Sequence, residues 1–110
     1  MSISMFLVDA RDKNQKSYNL PVATEDVFKR IWLPEAKELN ANLVLMFEFG
    51  VEIKESEVPK LIDELSQLNS RFKRYLKNDD IARVILRIER LVEEISRINR
   101  EFPGSVLYIG

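Results

Sequence analysis

From Val58 onward, apolar residues recur every three or four positions: Val58, Leu61, Ile62, Leu65, Leu68, Phe72 and Leu76. That spacing lays one apolar stripe along an amphipathic helix. Asn78-Asp79-Asp80 interrupts it and offers a fresh N-cap. The period then resumes through Ile81, Val84, Ile85, Ile88, Leu91, Val92, Ile95, Ile98 and Phe102. Pro103-Gly104 stops it, as proline and glycine do just past a helix end. The pattern predicts two antiparallel helices joined by a tight turn and packed on one face of a sheet.

The strands carry a different pattern. Residues 3–8 are rich in large apolar side chains and read as a first strand, and residues 17–22 (SYNLPV) return as a second. Residues 10–16 between them are polar and suit a plain hairpin loop. Pro21 has no N–H, so the second strand ends there or lies at a sheet edge. Residues 43–49 (LVLMFEF) are apolar on both faces except at Glu48, which predicts a central strand. Gly50 breaks it, and residues 51–54 (VEIK) continue past a bulge or run into a loop. Residues 105–109 (SVLYI) form a short closing strand.

Between the second and third strands, Thr24 is an N-cap, with Glu25 and Asp26 in the first turn. Val27, Phe28, Ile31 and Trp32 share one helical face, which places Trp32, the only tryptophan, in the core. Its indole N–H is expected to reach a polar neighbour at the core's edge. Pro34 breaks the pattern, because an interior proline deletes a hydrogen bond and clashes with the preceding turn. Two outcomes satisfy it: a kink, or a stop at Leu33 and a restart with Pro34 as the first residue of a second helix. Ser56 is expected to cap the first of the two long helices, with Pro59 in its opening turn.

The chain therefore reads as one α+β domain over residues 1–110. It has a small, mostly antiparallel sheet of about four strands, a broken helix after the N-terminal hairpin, and the two-helix hairpin. A hydrophobic fraction of 45% supports a core, and 32% charged residues solvate the surface. The formal net charge of -1 lacks the basic excess of a nucleic-acid binder, so nucleic acid is disfavoured as a partner. No signal peptide opens the chain and no run reaches the roughly 20 apolar residues of a membrane span, so a cytoplasmic location is expected.

Histidine and cysteine are both absent. Imidazole triads, thiolate chemistry and the usual zinc sites go with them, and no cofactor motif or calcium loop replaces them. Binding is expected rather than catalysis. The charges divide unevenly. Glu48, Glu52, Glu55, Glu57, Asp63 and Glu64 face only Lys54 and Lys60 in sequence, an acidic stretch that suits a basic protein partner. Arg71, Lys73, Arg74, Lys77, Arg83, Arg87 and Arg90 surround the helix turn. Pairing with neighbouring acids, such as Glu93 with Arg97 and Arg90 with Glu94, is preferred for them over a binding patch. On the last helix the alternating four-and-three spacing also resembles a coiled-coil seam, but the stripe is wide and favours core packing.

The opening hairpin, Trp32-Leu33-Pro34-Glu35-Ala36, the stretch GVEIKESEVPKLIDEL and the terminal LYIG resemble a group of small bacterial proteins. LYIG as a last strand is also similar to the immunity proteins of bacterial toxin systems. That resemblance implies a cytoplasmic protein that binds and silences a partner, such as a basic toxin domain. The expectation is a non-catalytic protein-binding module using the six acidic residues above. The alternative is a homodimer of structural or regulatory role.

Overall fold

The computed structural model describes residues 2–8, 18–75 and 78–110. The expected loop at 10–16, Ser17, Leu76 and Lys77 lie outside them. The fold is α+β. Strands β1 (Ser2–Leu7), β2 (Asn19–Thr24), β3 (Val51–Ile53) and β4 (Leu107–Ile109) form one sheet in the order β2-β1-β4-β3. Every neighbouring pair is antiparallel. The first and last strands thus hold the centre, and β2 and β3 are the edges.

Pro21 sits on an edge strand, where its missing N–H costs no ladder bond. The strand nevertheless runs past it to Thr24. Ser4 faces Pro21 and Ile3 faces Ala23, so Val22 is an extra residue and β2 carries a bulge.

Thr24 caps α1 (Glu25–Val27), its Oγ1 accepting from the Val27 N–H at 3.1 Å. Helical backbone then passes straight through Leu33 into α2 (Leu33–Leu39). Neither a stop nor a restart occurs. Instead residues Phe28–Trp32 form a π turn, in which the Leu33 N–H reaches back five residues to the Phe28 carbonyl. An α-helical proline ring clashes with the carbonyl four residues before it, here Arg30. The wider turn shifts that register and accommodates Pro34 without breaking the chain direction. Asn40 ends α2 in the left-handed conformation at φ 54°, a position asparagine tolerates.

The apolar run at 43–49 is not a strand. It forms the short helix α3 (Asn42–Leu45) and a 3₁₀ turn (Met46–Glu48). Ala41, Val44 and Phe47 are buried at three-residue spacing, while Met46 and Phe49 face outward. Glu64 supplies what the run lacks on its own. Its Oε1 accepts from the Leu43 and Val44 N–H groups at 2.9 and 3.1 Å, satisfying the open donors of the α3 N-terminus. Only Val51–Ile53 of this region pairs in the sheet, as a three-residue edge.

A 3₁₀ turn (Glu55–Glu57) leads into α4 (Val58–Tyr75). Ser56 lies inside that turn and does not cap it. Glu57 does the work instead: its Oε1 accepts from the Lys54 N–H, and its own N–H donates to the Lys54 carbonyl. Asn78 caps α5 (Asp79–Glu101), accepting from the Ile81 N–H at 2.9 Å. Ile81, Val84, Ile88, Leu91, Ile95 and Ile98 are all buried in the core. The four-and-three spacing on α5 therefore serves this chain's own interior.

One apolar cluster joins the inward side chains of the sheet (Ile3, Met5, Leu20, Val22, Ile53, Leu107, Ile109) to the buried faces of the helices. Trp32 is fully buried in it, its ring 5.7 Å from Phe28 and 6.4 Å from Phe47. The expected polar neighbour is missing: Trp32 Nε1 is buried with no hydrogen-bond partner among the described residues. No helix among those residues is long and apolar enough to cross a membrane.

Candidate functional site

With α4 and α5 on one face of the sheet, the alternation of side chains sends every second residue to the other. The pairing places Asn19, Phe6, Tyr108 and Glu52 directly opposite one another, in a single row across all four strands. Asn19 and Glu52 are exposed, and Phe6 and Tyr108 keep 37% and 36% of their surface in solvent. The two rings lie 6.4 Å apart at an interplanar angle of 37°, a tilted cross-strand pair.

Two glycines fit around Tyr108. Gly50, at φ +92°, would drive any Cβ into the Tyr108 hydroxyl, and Gly110 would place one 2.8 Å from the same oxygen. The phenol ring therefore lies over backbone that only glycine supplies. Phe49, next to Gly50, is 76% exposed, and its N–H donates to the Met46 carbonyl. Val8, just past the end of β1, is also exposed. Of the large apolar residues exposed among those described, all but Leu86 belong to these segments. Isolated exposed apolar residues are ordinary, but a grouped set marks a contact surface.

The six acidic residues do not form one surface. Glu52 stands in the cross-sheet row beside Tyr108, and half-buried Glu48 precedes Phe49 by one residue. Among the described residues no cation pairs with either. Glu55 accepts from the Gly104 N–H, Glu57 caps its own turn, and Asp63 accepts from Gln67 at 2.7 Å. Glu64 is only 8% exposed; its Oε1 serves α3, and its Oε2 is buried with no hydrogen-bond partner among the described residues. It is a structural residue facing inward. No group of three or more acidic side chains among the described residues is placed to hold a metal ion. Phe6 and Tyr108, which the sequence pattern did not single out, are the apolar centre of the row, and exposed Phe49 adjoins Gly50, which lies under the Tyr108 hydroxyl. Glycine at 50 and 110 was the available signal, since both flank one aromatic ring.

The arginines are largely engaged. Arg71 pairs with Glu35, Lys73 with Glu89 at 3.1 Å, and Arg83 loosely with Asp80 at 3.9 Å. The expected pairing of Glu93 with Arg97 is replaced. Arg97 binds Glu94 and Glu101 instead, each at 2.8 Å. Glu94 is also the acceptor for the Tyr18 hydroxyl at 3.0 Å, which ties the start of β2 to α5. The Arg97 hydrogen bond holds the Glu94 carboxyl below its ordinary range. Burial, followed by the Glu94 hydrogen bond and charge, pushes Tyr18 up to about 12 from 10.0.

That shift carries a sign. The protonated phenol is favoured in the fold, so its contribution is complete below pH 10 and is lost as pH rises through about 12. In an alkaline absorbance titration Tyr18 is expected to ionise only near that upper value. Tyr18→Phe should remove this transition and flatten the alkaline loss of stability. A tyrosinate signal completed near pH 10 would contradict the Tyr18–Glu94 contact.

Comparison with protein-family models, with curated proteins and with solved structures finds no match to this chain.

Proposed function

We propose that this chain is a non-catalytic protein-binding module whose docking surface is the open face of its sheet. The observation that carries the reading is the cross-sheet row: the paired Phe6 and Tyr108 rings, exposed, end at the unpaired Glu52 carboxylate. Phe49 extends the apolar centre, and Glu48 extends the acidic rim. Tyrosine and other aromatics commonly anchor interfaces, where they bury large area at little entropic cost. Acidic rims steer basic partners and set register. The partner is accordingly a basic protein. In the bacterial cytoplasm, a toxin domain silenced by an immunity protein fits that chemistry.

The test is co-expression with the product of the adjacent gene, followed by affinity measurement on the purified complex. Phe49→Ser and Glu52→Lys alter exposed side chains, so both variants should fold as the parent does. Each is expected to weaken the complex at least tenfold, and Glu52→Lys should also slow association at low salt. Unchanged affinity in both variants would remove the sheet face from the interface. If the adjacent product forms no complex at all, the immunity assignment is lost. Light scattering at micromolar concentration reads the homodimer alternative, and a dimer unaffected by Phe49→Ser would place self-association elsewhere.

A further inference from the structure

The two edges of the sheet differ in what their backbones offer. Ser4 and Gly110 exchange both backbone hydrogen bonds, at 3.2 and 3.1 Å, and the Val8 N–H donates to the Val106 carbonyl at 2.9 Å. Backbone groups alternate in direction along an antiparallel strand, so Ser4, Phe6 and Val8 turn theirs toward β4, and Ile3 and Met5 turn theirs toward β2. Tyr108, opposite Phe6, therefore faces β1, and its neighbours Leu107 and Ile109 face β3. They take up the backbone groups of Ile53 and Val51, which leaves the Glu52 N–H and C=O pointing away from the sheet.

The same alternation turns Asn19 and Pro21 outward on β2, where the edge is closed. Pro21 brings no N–H, and its carbonyl already accepts from the Arg87 guanidinium at 3.1 Å. The bulge follows directly, at Val22. Proline, a bulge and a cationic side chain are devices that keep an edge from pairing with another chain. On β3 the outward N–H and C=O of exposed Glu52 have no hydrogen-bond partner among the described residues. The open stretch ends at Lys54, whose N–H and C=O are both taken by Glu57.

We propose that β3 is a strand-addition site: an extended segment of a basic protein pairs antiparallel with Glu52 through its backbone N–H and C=O, and sets a lysine or arginine beside the Glu52 carboxylate. Strand addition takes affinity from main-chain hydrogen bonds and specificity from alternate side chains. Directly opposite residues share a face, so the added side chain continues the row of Asn19, Phe6, Tyr108 and Glu52 on the open side of the sheet. The Glu52 carboxylate, which no described cation pairs, selects a positive charge there. A second copy is disfavoured as the occupant, because a two-fold pairing centred on this residue sets Glu52 against itself. The proposal rests on the open face being a docking surface for a basic protein, and adds how that partner engages its edge.

The probe is the pentapeptide acetyl-TVKVT-amide, titrated into uniformly ¹⁵N-labelled protein. It is expected to shift the Glu52 amide saturably, with Kd on the order of 5 mM, since only two backbone bonds and one charge pair form. Two control peptides separate the contributions: methylation of the lysine backbone nitrogen removes the donor to the Glu52 carbonyl, and glutamate in place of lysine reverses the charge. Both should lose the saturable shift, and in Glu52→Lys the glutamate peptide should become the better ligand. An unshifted Glu52 amide, or an N-methylated peptide that binds as well as the parent, would overturn the proposal. In the complex with the adjacent gene's product, the Glu52 amide should be protected from exchange. A complex that Phe49→Ser weakens but that leaves this amide unprotected would sink strand addition and keep the docking surface. Absence of any such complex bears on the immunity assignment and leaves the peptide result standing.

Discussion

Trp32→Ala is expected to destabilise the fold by about 3–5 kcal/mol, the range for truncating a buried aromatic side chain. The residue is completely buried against Phe28 and Phe47, so the lost volume cannot be refilled by one neighbour. Against a total stability of about 5–15 kcal/mol for a native domain, that loss is large. Trp32→Phe gives the informative contrast. It removes the unpaired Nε1 donor together with part of the ring, and the relief of the buried N–H offsets some of the lost packing. The phenylalanine variant should therefore lose clearly less than the alanine variant, since it leaves a smaller cavity. Urea denaturation of both variants checks this. An equal loss in the two would show that the indole nitrogen is satisfied in solution.

Glu64→Ala is the second large effect. It leaves two N–H groups of α3 without an acceptor, at Leu43 and Val44, and the Val44 donor is buried. The buried Val44 donor costs about 1–3 kcal/mol and the half-buried Leu43 donor less, so an overall loss of about 2–4 kcal/mol is expected. Glu64→Gln retains one acceptor oxygen and should cost less than half as much, since hydrogen bonds to a neutral acceptor are weaker than those to a charged one. The damage should be local before it is global. Amide exchange at residues 43–48 should quicken in Glu64→Ala more than exchange in α5 does. Uniform acceleration would mean that α3 is held by packing alone.

These two residues mark how far local pattern reaches. Trp32 was placed correctly by its spacing with Val27, Phe28 and Ile31, because helical periodicity is a property of the nearby chain. The same holds for the stripes of α4 and α5, for the caps at Thr24 and Asn78, and for the edge position of Pro21. At Pro34 the local rules named a conflict without its solution. The π turn resolves it by widening the backbone, an option that side-chain spacing does not encode.

Residues 43–49 show the opposite limit. LVLMFEF is apolar enough to suit a central strand or a buried helix, and periodicity alone does not separate them in so short a run. The choice falls to Glu64, some twenty residues further on, whose carboxylate caps the helical form. With that segment helical, its place in the sheet centre passes to β4, which pairs with β1. The surface row of Asn19, Phe6, Tyr108 and Glu52 follows from that pairing and from nothing nearer. The acidic stretch is likewise divided by folding: Glu52 joins the row, while Glu64 turns inward. The sequence alone determined the two long helices, the caps at Thr24 and Asn78 and the buried tryptophan, because each depends on residues within a few turns. Strand order, the helical state of residues 42–48 and the composition of the candidate sheet surface depend on partners distant in the chain. Only tertiary packing decides which of those partners meet.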